Sequence, residues 1–270
     1  MDSVICLTMM NRLILKQDML AAFQKLGMQQ GMTVMVHSSL SSLGYVCGGA
    51  QTVIRALLET VTREGTIVMA TESWKNLDPD AGVHNEVGSD DWQAIRDNWP
   101  PFDKRLTPTD GMGTVAEMFR LWIWTYRSDH PARSIAANGK HATFLTVKHD
   151  LSDIYGDTSP MGRLYELDAY VLLIGVGYDK VTSLHLAEAR ANYPGKHNTI
   201  AHSADFECGK RVWKAYETLA VDSSDFKQIG KAFEQTHRVA KVRLGHGILR
   251  LICQRELVDF AVEWMEKNRK

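Results

Sequence analysis

The sequence predicts an α/β protein, on three observations. The apolar run Val171–Ile174, broken by Gly175 and Gly177 and followed by a short helix, reads as a buried strand that delivers polar side chains just beyond its end. Residues 33–70 pass through strand, Ser/Gly loop, helix and strand in turn. With 270 residues and 44% apolar content the chain can bury a sizeable core, and no repeat or low-complexity linker divides it, so one domain over residues 1–270 is expected.

In chain order, residues 1–10 read as a short N-terminal extension, since Met9 and Met10 could also serve as starts. Leu13, Leu15, Met19, Leu20, Phe23 and Leu26 recur at helical spacing. Gly27 and Gly31 punctuate the chain before a strand at Thr33–Val36, which runs into His37, Ser38, Ser39 and Leu40 and a loop with Gly44, Gly48 and Gly49. A helix marked by Val53, Ile54, Leu57, Leu58 and Val61 follows, then a strand at Thr66–Ala70. Such a loop at a helix start can bind phosphate through free N–H groups, or be an ordinary crossover; both readings stand.

Residues 72–106 read as an acidic, aromatic-rich insert. Glu72, Asp78, Asp80, Glu86, Asp90, Asp91, Asp97 and Asp103 face only Lys75 and Arg96 over 72–103, a balance of about −6, interleaved with Trp74, Trp92, Trp99 and Phe102. That composition suits a cationic, hydroxyl-rich small molecule and equally a solvated acidic loop. Thr107–Arg120 ends a loop and begins a helix, and in 127–142 Pro131 holds His130 extended while small residues beyond it leave room for backbone or ligand. A helix is expected to open over Leu145–Leu151, and Ser159-Pro160 signals a turn or a helix start.

After Ile174, Thr182 is expected to cap the short helix carrying Leu184, His185, Ala187 and Glu188, with His185 and Glu188 on one face. Residues 197–219 predict a β-hairpin turning at Cys208-Gly209. Asp222 and Ser223 precede a helix through Phe226, Ile229 and Phe233. Val239–Leu244 reads as the last strand, and a closing helix buries Leu257, Val258, Ala261, Trp264 and Met265, its basic end at Lys267, Arg269 and Lys270 suiting its dipole.

The formal charge of −1 gives no field for nucleic acid or an anionic membrane. No run of roughly 18 apolar residues predicts a membrane span. Cys6, Cys47, Cys208 and Cys253 lack metal-ligand spacing, so reduced thiols in a cytoplasmic protein are expected, with no metal.

Five stretches, taken together, resemble the aminoglycoside 3-N-acetyltransferase family: HSSLSSLGYVCGGA at 37–50, TPTDGMGTVAEMFR at 107–120, RSDHPARSIAANG at 127–139, SPMGRLYELDAYVLLIGVGYDKVTSLHLAE at 159–188 and LGHGILRLI at 244–252. The resemblance implies a central mixed sheet flanked by helices, distinct from the GNAT acetyltransferases, with acetyl-CoA as co-substrate. It implies that His37, Ser38, Ser39, Leu40, Gly44, Gly48, Gly49 and Ala50 help bind acetyl-CoA, with Thr114, His130 and Ser134 along the same groove. It makes His185 the catalytic histidine, with Glu188 and Asp222 as catalytic carboxylates. Glu72, Asp80, Asp179 and Asp225 become contacts to a cationic acceptor, an aminoglycoside acetylated on the 3-amino group of its 2-deoxystreptamine ring.

The residue chemistry agrees. An amine acceptor is mostly protonated at neutral pH, histidine ionises naturally there, and a carboxylate can fix its tautomer for direct attack on the thioester. Other readings remain beside it. An isolated H-x-x-E is commonly a satisfied core histidine. His185 and Glu188 could join His37 or His130 around zinc, but no H-E-x-x-H or C-x-x-C accompanies them. A hydrolase built on Ser38 lacks the G-x-S-x-G elbow. A non-catalytic CoA-binding protein, or a transferase of the same fold acting on another amine metabolite, would carry the same motifs.

Overall fold

The computed structural model describes residues 13–270, so the expected extension at 1–10 lies outside the described residues. The chain runs α1 (Lys16–Leu26), β1 (Thr33–Ser38), α2 (Gly49–Val61), β2 (Thr66–Ala70), α3 (Trp92–Asn98) and α4 (Gly113–Arg120). It continues through β3 (Tyr126–Arg127), β4 (Ile135–Gly139), α5 (Ala142–Thr146), α6 (Pro160–Glu166), β5 (Tyr170–Ile174) and α7 (Leu184–Arg190). The hairpin β6 (Asn198–Glu207) and β7 (Lys210–Leu219), then α8 (Phe226–Thr236), β8 (Ala240–Leu244), β9 (Gly247–Cys253) and α9 (Gln254–Asn268) complete it.

Seven strands form one mixed sheet in the order β3-β4-β2-β1-β5-β9-β8, with β2, β1 and β5 parallel at its centre and antiparallel strands on both flanks. Alternate residues of the central strands feed two cores, as the period of two requires. Met35, Val68, Val171 and Leu173 pack on the side of α5 to α9, while Val34, Val36, Ile67, Leu172 and Ile174 pack toward α1, α2 and α4. Coverage on both faces is why β1, β2 and β5 read as unbroken apolar runs.

Several sequence expectations are corrected. The chain has a strand after Leu244: β9 pairs with β5 and lies inside the sheet, and Gly245-His246 is the turn of the β8–β9 hairpin. The small residues at 135–139 leave room for backbone, since they form β4 against β2. Gly139, at φ +123°, passes so close to Gly65 that a Cβ would lie 2.1 Å from its carbonyl oxygen. The helix expected at Leu145–Leu151 is instead α5, which ends at Thr146. Thr182 is not the cap of α7; Ser183 holds that place without a side-chain cap bond. The 197–219 hairpin forms as expected, its Cys208-Gly209 turn having positive φ at both residues.

The acidic insert folds as three short 3₁₀ turns and α3, and it docks on the hairpin. Leu77 bridges to Ser203, the Phe102 amide donates to the Ala204 carbonyl at 3.2 Å, and Arg211 donates to the carbonyls of Arg96 and Trp99. Much of its charge is answered internally. Arg96 makes a two-pronged pair with Asp78 at 2.8 and 2.9 Å, Lys75 bonds Glu86, and Asp103 accepts two backbone amides.

Candidate active site

A cavity of about 980 Å³ opens where the parallel strands end, receiving Ser38 from β1, Ala70 from β2 and the 175–183 loop from β5. This is the crevice that open α/β sheets leave beyond the carboxyl ends of their strands. The first turn of α4 and residues Tyr155, His185 and Phe226 complete its wall.

His185 enters from the first turn of α7. Its Nδ1 lies 2.7 Å from Glu188 Oε2, one helical turn on, which fixes Nδ1 as the protonated nitrogen beside an ionised carboxylate and leaves Nε2 to face the cavity. Tyr155 stacks on the imidazole at 4.7 Å and Phe226 packs on it at 4.8 Å. Glu188 has no exposed surface. Burial by itself would raise its carboxyl, but hydrogen bonds from His185, the Asp222 amide and Arg269 outweigh this and hold it below the usual carboxylate range.

A second buried carboxylate, Glu72, lines the cavity just past β2. It accepts a 2.6 Å hydrogen bond from Tyr155 Oη and lies 3.8 Å from Arg133, whose guanidinium sits 3.9 Å over Trp74. His37, at the end of β1, is buried with Nε2 lacking a hydrogen-bond partner among the described residues; burial lowers its pKa to about 4.

Of the expected site residues, the cavity gathers His37, Ser38, Ser39, Leu40, Gly44, Glu72, Thr114, Asp179 and His185. Gly48, Gly49 and Ala50 lie beside it at the start of α2 without lining it. His130 and Ser134 do not lie along the groove. His130 is fully buried, Nδ1 accepting from the amides of Ala132 and Arg133, and its ring packs on His149 and Tyr216. Ser134 is buried between Thr71 and Arg127. Asp222 stays outside the cavity and reaches Glu188 only through its amide, at 2.8 Å. Asp225 is paired with Arg269, and Asp80 is exposed away from the cavity. Asp179 lines it but lies 3.6 and 4.0 Å from Lys180 and Lys227.

Sequence reasoning missed Tyr155, Phe226 and Arg269 as neighbours of the His185–Glu188 pair. Arg269, read as a partner for a helix dipole, bonds Glu188 Oε1 at 2.6 Å. No local pattern could have found it, because the two residues are 81 positions apart.

Residues 35–266 match the family model described as aminoglycoside 3-N-acetyltransferase. The chain is 41% identical over 255 residues to the SPbeta prophage-derived aminoglycoside N(3')-acetyltransferase-like protein YokD of Bacillus subtilis, covering 94% of this chain and 93% of that protein. The crystal structure of YokD superposes with a TM-score of 0.91, covering 95% of each chain at 40% identity. AAC-VIa bound to sisomicin matches with a TM-score of 0.84 at 31% identity over 94% of this chain and 98% of its own. AAC-IIIb in a binary complex with CoASH matches with a TM-score of 0.84 at 27% identity over 96% and 98%. A mixed sheet of this order, a histidine–carboxylate pair at its carboxyl edge and these likenesses lead to one assignment: the chain belongs to the aminoglycoside 3-N-acetyltransferase family and is an acetyltransferase that uses acetyl-CoA.

Proposed function

We propose that the enzyme transfers the acetyl group of acetyl-CoA directly to the 3-amino group of the 2-deoxystreptamine ring of an aminoglycoside, with His185 as general base. The observation that carries this reading is His185 on the wall of the cavity, bonded through Nδ1 to the buried Glu188 behind it. An ammonium has no lone pair, so the acceptor first loses one proton to solvent, and the neutral amine sheds a second as its nitrogen bonds to the thioester carbon. Nε2 of His185 takes that proton, and Glu188 balances the imidazolium through Nδ1. The tetrahedral adduct then collapses, the C–S bond breaks, and the departing CoA sulfur takes the proton back. Hydroxyls of Ser38, Ser39, Thr114 and Thr182 stand around the cavity as donors for the developing oxyanion and the pantetheine amides. At about 980 Å³ there is room for an extended donor and an amine side by side. The CoASH complex of AAC-IIIb and the sisomicin complex of AAC-VIa support this donor and acceptor class.

The test is release of free CoA thiol across an aminoglycoside panel including sisomicin, with wild type and His185→Ala. Turnover with at least one aminoglycoside is expected, and His185→Ala should lower kcat by about 10²-fold or more. Full turnover in His185→Ala would overturn the base assignment; no thiol release with any aminoglycoside would overturn the acceptor. One observation favours a second acceptor class. The carboxylates that line the cavity, Glu72 and Asp179, already face Arg133, Lys180 and Lys227, and aromatic side chains stand beside them. An aryl-alkyl monoamine in the same panel decides between the two: the class with the higher kcat/KM is the acceptor class.

A further inference from the structure

Glu188 divides its two oxygens between different tasks. Among the described residues Oε2 meets His185, whereas Oε1 accepts from Arg269 Nη1 at 2.6 Å and from the Asp222 amide at 2.8 Å, with Tyr193 Oη at 3.5 Å. The guanidinium of Arg269 is itself held as a fork. Its Nε and Nη2 donate to the two oxygens of Asp225 at 2.8 and 2.9 Å, Nη2 also donates to the Asp222 carbonyl at 2.8 Å, and the group sits 4.8 Å from the Tyr193 ring. The 222–225 segment it grips leads directly into Phe226, which packs on His185 and lines the cavity beside Ser223.

We propose that Arg269 is a positioning residue of the active site: it locks Oε1 of Glu188 and the 222–225 segment, so that Oε2 orients His185 with Nε2 bare toward the acceptor. This rests on the reading of His185 as the base. Every group facing the pair bears on the charge balance. Arg269 approaches from the end of α9, Asp225 and Asp222 from the segment before α8, Tyr193 and Lys196 from the segment after α7, and Tyr155, bonded to Glu72, from across the ring. Taking away the guanidinium leaves Glu188 and Asp225 with less compensating charge, so the His185–Glu188 pair keeps an extra proton to higher pH. Whether that proton sits on Nε2 or on the carboxylate, the pair has lost its capacity to accept another. Arg269 therefore acts by keeping the pair ready as a base at neutral pH.

The test compares wild type, Arg269→Gln, Arg269→Lys and Asp225→Asn by ¹⁵N-histidine NMR titration and by the pH profile of kcat/KM with acetyl-CoA and sisomicin. In Arg269→Gln the midpoint of proton uptake by the pair should rise by about one pH unit, lowering turnover at neutral pH about tenfold and restoring it at higher pH, with the KM for acetyl-CoA held within about twofold. Arg269→Lys should bring the midpoint back toward wild type. Asp225→Asn, which removes a neighbouring negative charge, should move it down, and this opposite sign keeps the test available if Arg269→Gln does not fold. A loss of turnover uniform in pH with an unmoved midpoint, or an upward or absent shift in Asp225→Asn, would overturn the proposal. An NMR midpoint that moves while the acidic limb of the rate profile stays still would instead overturn His185 as the base, separating the two failures.

Discussion

His185 and Glu188 stand three positions apart on α7, and that spacing alone brings a ring nitrogen to a carboxylate oxygen at 2.7 Å. This part of the site was legible, because a helix converts sequence separation into a fixed distance. The support around it was not. Tyr155, Phe226 and Arg269 reach the pair from a loop, the first residue of α8 and the end of α9, and nothing in their own neighbourhoods marks them. His130 shows the converse, a histidine in a family motif whose bonds are spent on its own loop. At this scale Glu188→Gln keeps the shape and removes the charge. It should lower kcat by about a hundredfold while changing the KM for acetyl-CoA little, as measured by steady-state thiol release. A wild-type kcat in that variant would remove Glu188 from the mechanism.

Elements fix where the site lies. Strands at β1, β2 and β5 were foreseen, β5 from its apolar run and the other two from the strand, loop, helix, strand order of residues 33–70; their parallel pairing puts the cavity beyond their carboxyl ends. β4 and β9 escaped notice for different reasons. β4 reads as Ile-Ala-Ala-Asn-Gly, whose small side chains have little strand preference and serve close packing, and in β9 Arg250 interrupts an otherwise apolar run. The close pass of Gly139 by Gly65 gives a measurable consequence. Gly139→Ala combines a positive φ with a clash against backbone and should cost about 2–3 kcal/mol or more in urea unfolding. Gly209→Ala, at a positive φ in the open hairpin turn, should cost only about 1–2 kcal/mol. Equal losses at the two sites would show that φ, and not the close approach, decides.

At the scale of the fold, burial disfavours the charged form of three histidines among the described residues. Burial lowers His37 and His149 to about 4 and His130 well below its ordinary value. A base whose folded pKa is depressed binds its proton more readily in the unfolded chain, so these groups leave stability intact above about pH 6.5 and erode it as pH falls toward 4. Each contributes a slope of about 1.4 kcal/mol per pH unit inside that window, before any acid with a lowered pKa adds its own loss nearer pH 4. Urea unfolding at pH 7, 6 and 5 measures the slope, and His149→Gln should make it shallower. Equal stability at pH 7 and 5 would contradict the neutral burial of these rings. Short spacing and composition were enough for an α/β chain, strands at the positions of β1, β2 and β5, the hairpin, and the His185–Glu188 pair. Packing set the rest: β2, β1 and β5 pair in parallel, β9 enters the sheet beside β5, the acidic insert answers much of its own charge, and Arg269 holds Glu188. The physical reason is the same each time. Periodicity reports which face of an element is apolar, whereas pairings between residues far apart in the chain exist only once the cores on both faces of the sheet have packed.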